Sequence, residues 1–203
     1  RVLHGTTVAT NLILEGKGAK TALITTAGFK YVLEIGRQDV PRRASLFAWV
    51  KPKRPVPPQL IFEVGGRLGP DGNELEPLDE AAVYAAARTL KERGVTAIAV
   101  VLLHSYANAA HERRLGEILR SELPGALVSL SSEVLREYRE YERAMTTLVD
   151  AAVKPRLSRY VANISRRLEQ YGGRKVPFYV MKSNGGVLSA DEVVHQPITT
   201  VLS

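Results

Sequence analysis

The stretch Val95-Thr-Ala-Ile-Ala-Val-Val-Leu-Leu103 is an almost wholly apolar run, and His104-Ser-Tyr106 follows it directly. Such a run is typical of a central strand in a parallel sheet, because helices cover both faces of that strand. Helical patterns flank it on both sides. The predicted elements are a helix at residues 80–93 capped by Asp79, a helix at 108–123 capped by Asn108, and a strand at 127–130. This order predicts an α/β fold with a mostly parallel sheet and right-handed crossovers.

Shorter elements are predicted on either side of this central unit. A long connection rich in Pro and Arg occupies residues 37–58, and no strand is predicted ahead of His4. A helical pattern over residues 137–171 contains Pro155, which predicts a kink or a split because proline has no backbone N–H. The remaining predictions are a helix at 8–14 with Thr7 or Thr6 as N-cap, strands at 21–26, 60–64, 65–68 and 176–181, and a turn at 69–72.

Composition limits the class of protein. The chain has 203 residues, of which 45% are hydrophobic and none is cysteine. It is long enough to bury a sizeable core, and it can form neither disulfides nor thiolate metal sites. The apolar run at residues 97–103 is far shorter than a membrane span, so we predict no membrane partner and a cytoplasmic location.

The net charge of +7 is concentrated near the start of the chain. Residues 1–60 carry ten Lys or Arg against three Asp or Glu, and the rest of the chain sums to zero. The densest part lies between Arg37 and Arg54, where Phe47 and Trp49 are too few aromatic residues for a base-stacking surface. We therefore expect no nucleic-acid partner. A basic rim that attracts an anionic ligand and an ordinary solvated surface both remain open.

Two polar bends are candidates for binding a phosphate or an anionic intermediate. The first is His4-Gly-Thr-Thr-Val-Ala-Thr-Asn11, and the second is Met181-Lys-Ser-Asn-Gly-Gly186. Both offer backbone N–H groups, hydroxyls and amides without bulky side chains, which is what a phosphate requires. The pair suggests a ligand held between two lobes, whereas each bend alone could be a tight connection.

Single residues offer further candidates. His104 follows a strand at the edge where parallel sheets place ligands, so it is either an acid/base group or a residue that ties down its loop. The run Arg136-Glu-Tyr-Arg-Glu-Tyr-Glu-Arg143 is either a solvated face of ion pairs or the wall of an active site, with Glu140 as the candidate carboxylate. No histidine pair has i,i+4 ligand spacing, so we predict no metal site on the protein.

Six blocks in this order resemble the hydantoinase A/5-oxoprolinase family, which includes N-methylhydantoinase A and a subunit of acetone carboxylase. The blocks are His4-Gly-Thr-Thr-Val-Ala-Thr-Asn11, Gly28-Phe29 with Leu33-Glu-Ile-Gly-Arg-Gln38, Leu102-Leu-His-Ser-Tyr106 with Asn108 and His111-Glu112, Leu130-Ser-Ser-Glu-Val134, Arg139-Glu-Tyr-Glu-Arg143, and Ser183-Asn-Gly-Gly186. The resemblance implies an actin/Hsp70-like ATPase fold with two ribonuclease-H-like lobes around a nucleotide.

The resemblance also implies an activity, which is ATP-dependent opening of a cyclic amide after phosphorylation of its carbonyl oxygen. It implies ATP with Mg²⁺ as cofactors, a small cyclic amide as substrate, and a hydantoinase B-type subunit or domain as partner. A homo-oligomer is also open. The catalytic candidates are then His4, Thr6, Thr7, Arg37, His104 and Glu140, and the cofactor-binding candidates are Gly5, Asn11, Ser183, Asn184, Gly185 and Gly186.

The same resemblance predicts how the chain is divided. Residues 1–150 are expected to form the first lobe without its N-terminal hairpin and with an insertion at 37–78. Residues 151–203 are expected to form a linking helix and the start of the second lobe. We therefore expect an internal fragment, incomplete at both ends and inactive alone. Two alternatives remain: an ATP-using subunit of a ketone carboxylase, and a non-catalytic module that binds an acidic partner.

Overall fold

The computed structural model describes residues 1–37, 45, 47–50, 54–172 and 176–201. Nine strands and seven α-helices lie within these ranges. In chain order they are β1 (Val2–His4), α1 (Val8–Leu14), β2 (Thr21–Thr26), α2 (Val32–Ile35), β3 (Ile61–Val64), β4 (Arg67–Leu68), β5 (Glu74–Glu76), α3 (Glu80–Glu92), β6 (Ala97–Val101), α4 (Ala110–Glu122), β7 (Leu127–Leu130), α5 (Ser131–Val134), α6 (Glu140–Gly172), β8 (Phe178–Met181), β9 (Val187–Ser189) and α7 (Ala190–His195). Short 3₁₀ turns cover Pro58–Leu60 and Pro197–Thr200.

The larger sheet has four parallel strands in the order β3-β2-β6-β7. Strands β2 and β6 are buried along their whole length, which explains their continuous apolar sequence. Helices α3 and α4 pack against each other, and α6 packs on β6 and β7. The predicted parallel α/β arrangement is confirmed.

Helix α3 shows how local signals fix an element. The Asp79 carboxylate accepts a hydrogen bond from the N–H of Ala82 at 3.0 Å, which satisfies one free donor of the first turn. The apolar residues of one helix face are buried: Val83, Ala86, Ala87 and Leu90. Gly94 ends the helix with φ +61°, a conformation that favours glycine. The predicted bounds of this helix are confirmed to within one residue.

The smaller sheet has three strands in the order β1-β8-β9. Strand β1 runs parallel to β8, whereas β8 and β9 are antiparallel. The prediction that no strand precedes the first polar bend was therefore wrong. Strand β1 has three residues, and its partner lies more than 170 residues later, so no local pattern marks it.

Helix α6 is continuous from Glu140 to Gly172 and has Pro155 in its interior, so the predicted split does not occur. Its apolar residues enter two separate cores, with Leu148 packed in the core of the four-stranded sheet and Leu157 in that of the smaller sheet. This packing on both sides of Pro155 offsets the lost backbone hydrogen bond. Three residues before the proline, the carbonyl of Ala152 accepts a hydrogen bond from the N–H of Ala19 at 2.8 Å.

The predicted division into lobes at residue 150 remains a prediction. The structure adds that Val2–His4 pairs with Phe178–Met181, and that α1 contacts α6 and the turn Pro197–Thr200. The start of the chain therefore lies with the C-terminal elements. Part of the predicted insertion, at residues 38–44, 46 and 51–53, lies outside the described residues. None of the described helices combines the length and the hydropathy that a membrane span requires.

Candidate functional site

The two polar bends leave the same edge of the smaller sheet. Strands β1 and β8 are parallel neighbours in which His4 pairs with Val180, so both chains leave the sheet at their carboxyl ends. Neighbouring strands lie about 5 Å apart, and a Cβ built on Gly5 would lie 3.8 Å from the sulfur of Met181. We call residues 4–7, Asn11 and residues 182–186 together the bend edge.

Two adjacent threonines of the bend edge have different surroundings. Thr6 is buried, and its hydroxyl accepts a hydrogen bond from the N–H of Val8 at 3.3 Å at the start of α1. Thr7 is exposed, and its hydroxyl accepts from the side-chain amide of Asn11 at 3.4 Å. Thr7 and Asn11 are thus the polar side chains that this bend presents to solvent.

The second bend is a tight hairpin between β8 and β9. The N–H of Lys182 donates to the carbonyl of Gly186 at 3.1 Å, and Gly185 and Gly186 have φ +87° and +80°. Those angles require glycine in practice. The hydroxyl and N–H of Ser183 both donate to the carbonyl of Thr199, at 3.1 and 2.9 Å. The exposed Asn184 amide has no hydrogen bond to any residue that the structure describes.

His4 lies on the inner side of the bend edge, away from its exposed surface. Its Nε2 is 2.7 Å from the hydroxyl of Tyr160 on α6, and its ring lies 6.0 Å from that of Phe178. The imidazole is half-buried between α6 and β8. This contact ties the first bend to α6, and the catalytic role predicted for His4 remains a prediction.

A cleft of about 690 Å³ opens between α2 and the start of α6, and we call it the α2–α6 cleft. Its walls are rich in aromatic side chains, namely Phe29, Tyr31, Tyr106, Tyr138 and Tyr141. Its charged residues are Arg37, Arg139, Glu140 and Glu142. Two predicted site residues, Arg37 and Glu140, therefore share this cleft.

Arg37 is already paired inside the cleft. Its Nε donates to the Glu142 carboxylate at 2.5 Å, and a terminal nitrogen contacts the same oxygen. Burial by itself raises the pKa of Glu142, but the backbone hydrogen bond and Arg37 outweigh it, so the pKa is lowered overall. Glu140 is half-buried and makes no hydrogen bond to any described residue.

His104 lies behind the cleft residue Tyr106. It has φ +58°, the sole positive value for a residue other than glycine in the described ranges. Its Nδ1 donates to the carbonyl of Leu68 at 2.6 Å, and its ring meets the edge of the cleft residue Tyr106 at 6.0 Å. The hydrogen bond is the one expected of a histidine that ties down its loop, and a catalytic role for it remains a prediction.

Sequence reasoning missed a buried polar stripe on α6. Arg143, Thr147, Asp150 and Lys154 are all buried, although Arg143 was grouped with the exposed Arg139. Their spacing of four, three and four residues places them on one face of a helix. The same face carries the buried Leu148. The helical spacing of these four polar residues relative to Leu148 was the signal that could have identified them as buried.

Arg143 is the central member of that stripe. Its side chain is fully buried, donates to the carbonyl of Leu102 at 2.8 Å and to that of Glu137 at 3.1 Å, and lies over the ring of Tyr106. Its Nε has no partner among the described residues. Burial lowers the pKa of Arg143, and the charges of Glu112 and Glu140 oppose that shift.

The twelve predicted site residues fall into two groups rather than one. Nine lie at the bend edge, and the other three, Arg37, His104 and Glu140, lie in or behind the α2–α6 cleft. Tyr160, which contacts His4, follows Glu140 by twenty residues in the same helix. At about 1.5 Å per residue this corresponds to roughly 30 Å along the helix axis.

These features define an α/β protein with a mostly parallel sheet and a glycine- and hydroxyl-rich edge, which is consistent with an actin-like ATPase. The sequence specifies the class further. Residues 1–123 match the family model for the hydantoinase/oxoprolinase N-terminal region, and residues 143–203 match the hydantoinase/oxoprolinase model. The chain therefore belongs to the hydantoinase/oxoprolinase family, and the predicted resemblance is confirmed.

Curated relatives include enzymes of known name. Caprolactamase subunit alpha of Pseudomonas jessenii is 36% identical over 187 residues, which cover 91% of this chain and 27% of that protein. 5-Oxoprolinase 1 of Arabidopsis thaliana is 33% identical over 202 residues, which cover 90% of this chain and 16% of that protein. The chain thus spans less than a third of the length of these relatives.

Solved structures share the fold. The crystal structure of ATP-dependent caprolactamase from Pseudomonas jessenii superposes with a TM-score of 0.82 at 36% identity, covering 91% of this chain and 27% of that chain. A nucleotide-free structure of acetone carboxylase superposes with a TM-score of 0.84 at 26% identity, covering 97% of this chain and 29% of that chain. The names of the two structures state ATP dependence, and caprolactamase alpha and the acetophenone carboxylase gamma chain are named as subunits.

Proposed function

We propose that this chain is part of an ATP-dependent cyclic amidohydrolase, and that its bend edge holds the phosphates of ATP next to the amide carbonyl. The observation that carries the proposal is the parallel pairing of β1 with β8, which places the two polar bends side by side. Names of relatives support it, since both the caprolactamase and 5-oxoprolinase names denote enzymes of cyclic amides.

The donor set of the bend edge fits a phosphate. Thr7 supplies a hydroxyl, Asn11 and Asn184 supply amides, and the glycines at 185 and 186 let the ligand approach the backbone closely. The bend edge contains Lys182 but no Asp or Glu, so its field favours an anion. The residues present therefore fit ATP at this edge.

Mg²⁺ is expected to arrive with the nucleotide. Within the described ranges, no group of three or more His, Cys, Asp or Glu is arranged to hold a metal ion. The described part of the chain therefore offers donors for phosphate oxygens rather than a cage for the cation. The hydantoinase B-type partner and the cytoplasmic location also belong to this proposal.

The chemistry follows from the weakness of the amide as an electrophile. Once the carbonyl oxygen carries a phosphoryl group from ATP, its carbon adds water more readily. The ring C–N bond then breaks as the nitrogen takes up a proton, and hydrolysis of the remaining acyl phosphate releases inorganic phosphate. The chain's own contribution is to orient the phosphates with the Thr7 hydroxyl and the Asn184 amide, and to offset part of their charge with Lys182. The N–H groups of Lys182, Ser183 and Gly185 already donate to carbonyls of the chain. Burial of Thr6 keeps the first bend in place through its bond to Val8.

The first prediction concerns Thr7→Val in the full-length protein. Loss of the exposed hydroxyl is expected to lower lactam-dependent phosphate release from ATP by at least about tenfold, because a donor to the phosphates is removed. Thr89→Val is the matched control, since among the described residues the Thr89 hydroxyl bonds the carbonyl of Ala85 in its own helix. Unchanged turnover in Thr7→Val would remove the bend edge from the ATP site.

A ketone carboxylase subunit is the second candidate. The TM-score of 0.84 to acetone carboxylase favours it, as does 33% identity to the acetophenone carboxylase gamma subunit of Aromatoleum aromaticum. The same phosphate assay separates the candidates, because release that needs a ketone and bicarbonate rather than a lactam supports the carboxylase. The remaining alternative is a non-catalytic module that binds an acidic partner. Affinity for an acidic protein that needs no ATP and falls steeply with salt concentration would support it.

A further inference from the structure

Asn184 and Gly185 lie at the tip of the hairpin between β8 and β9, and both are exposed. A side-chain amide can react with the N–H of the next residue, and glycine has no side chain that shields this N–H. The residues that follow the other asparagines all carry side chains: Leu12, Glu74, Ala109 and Ile164. Asn184 is therefore the asparagine of this sequence whose following N–H is least shielded.

The side-chain amide of Asn184 is also free to rotate, since it has no hydrogen-bond partner in the part of the chain that the structure describes. Three other asparagine amides donate to a neighbouring group: Asn11 to Thr7, Asn73 to Asp71, and Asn108 to the carbonyl of Gly72. Asn163 lies within α6, where the helix fixes its backbone. Asn184 thus combines a free amide with a backbone outside helices and strands.

The backbone that follows Asn184 has room to move. The N–H of Gly185 donates to the carbonyl of Lys182 at 3.2 Å, which is the long end of the normal range. Gly185 and Gly186 have no Cβ that limits their backbone angles, and a Cβ built on either would meet no described heavy atom within 4 Å beyond its chain neighbours. The Gly185 nitrogen can therefore leave its hydrogen bond and turn toward the Asn184 side chain.

We propose that Asn184 is a modification site, at which the chain converts its own amide into a carboxylate. The Gly185 nitrogen gives up its proton to hydroxide and bonds to the side-chain carbonyl carbon of Asn184. The bond between that carbon and the amide nitrogen breaks, and the nitrogen leaves as ammonia after taking a proton from water. Water then opens the resulting succinimide ring at one of its two carbonyls, which gives aspartate or isoaspartate. The net reaction consumes one water and releases one ammonia, without any change of oxidation state.

The modification changes the chemistry of the bend edge. A carboxylate at position 184 replaces an amide donor and adds a negative charge beside Lys182. Isoaspartate also lengthens the main chain within the hairpin that the bond from the N–H of Lys182 to the carbonyl of Gly186, at 3.1 Å, closes. The new charge opposes phosphate binding, so modified protein should release less phosphate from ATP. This last consequence alone rests on the proposed function.

The test follows each asparagine in the folded full-length protein. The protein is kept in mildly alkaline buffer, and tandem mass spectrometry of its peptides measures the replacement of the amide NH₂ by OH. Asn184 is expected to lose its amide first, with the exposed but hydrogen-bonded Asn73 as the internal comparison. Asn184→Gln keeps an amide but requires closure of a larger ring, so the peptide that contains position 184 should keep its mass.

The outcomes separate the modification from the proposed activity. Loss of the Asn73 amide before that of Asn184 would overturn the inference, and so would an Asn184 amide that persists after a synthetic peptide of residues 181–187 has lost its own. The comparison within the wild-type protein needs no variant, so a folding defect in Asn184→Gln leaves it decisive. Full phosphate release by protein converted at Asn184 supports the modification and overturns only the placement of ATP at the bend edge.

Discussion

Thr6 and Thr7 show how much the surroundings of a residue decide what it can do. Both carry the same hydroxyl, but that of Thr6 is buried and holds the N–H of Val8, whereas that of Thr7 faces solvent beside Asn11. A substitution at Thr6 would therefore test the start of α1 as much as ligand binding. The sequence could predict the donor types at this bend but not which of them is accessible.

Arg143 provides a prediction about a single buried charge. Arg143→Met is expected to lower the free energy of unfolding by about 3–5 kcal/mol, because the carbonyl of Leu102 loses its donor and nearby Glu112 loses a compensating cation. Urea unfolding of the 203-residue chain measures the change. Arg139→Met, at the exposed arginine directly before α6, should leave the free energy of unfolding nearly unchanged, and a comparable loss there would contradict the explanation.

At the scale of elements, the sequence predicted best those that carry their own caps and periodicity. Helix α3 has Asp79 and Gly94 at its ends, and β6 has an apolar run, so both were placed correctly. Strands β1 and β9 have three residues each and are defined by pairing with β8. Such pairing depends on contacts distant in sequence, which no local pattern reports.

Helix α7 carries a capping box that makes a prediction about pH. The hydroxyl of Ser189 and its N–H both donate to Glu192, at 2.7 and 2.8 Å, and these bonds lower the pKa of Glu192. A lowered pKa in the folded state stabilises the protein above the usual carboxyl range, and this contribution is lost as the pH falls through the folded pKa.

Ser189→Ala should therefore raise the pKa of Glu192 toward its usual value, although the backbone N–H keeps part of the shift. A carboxyl ¹³C NMR titration between about pH 2 and 6 measures it, since that interval brackets a glutamate. Ser183→Ala, which removes a serine hydroxyl bonded elsewhere, is the control and should leave Glu192 unchanged. An unaltered pKa in Ser189→Ala would show that the hydroxyl is not the cause.

At the scale of the whole molecule, α6 determines how the candidate residues are distributed. It begins in the α2–α6 cleft at Glu140, packs on the four-stranded sheet, and reaches His4 through Tyr160. Sequence reasoning found both polar regions because each has a distinctive composition. It could not separate them, because distance along a chain says nothing about distance in space until the helix joining the two regions is known.

The last prediction concerns the buried pair of Asp150 and Lys154. This pair connects α6 to strand β7 and to the turn Pro197–Thr200. Asp150 accepts from Ser129 on β7 at 2.7 Å and from the N–H of Ile198 at 3.0 Å, and Lys154 lies 3.2 Å from it. Lys154→Met is expected to cost about 3–5 kcal/mol of unfolding free energy, because it leaves a fully buried carboxylate without its cation.

A double-mutant cycle tests whether that cost comes from the uncompensated charge. Adding Asp150→Asn to Lys154→Met removes the charge but keeps an acceptor for Ile198, so the double variant should be less destabilised than the sum of the single changes. The expected coupling is about 1–3 kcal/mol by urea unfolding. Strictly additive losses would mean that the two side chains act independently, and that packing of α6 rather than this pair holds the C-terminal elements against the four-stranded sheet.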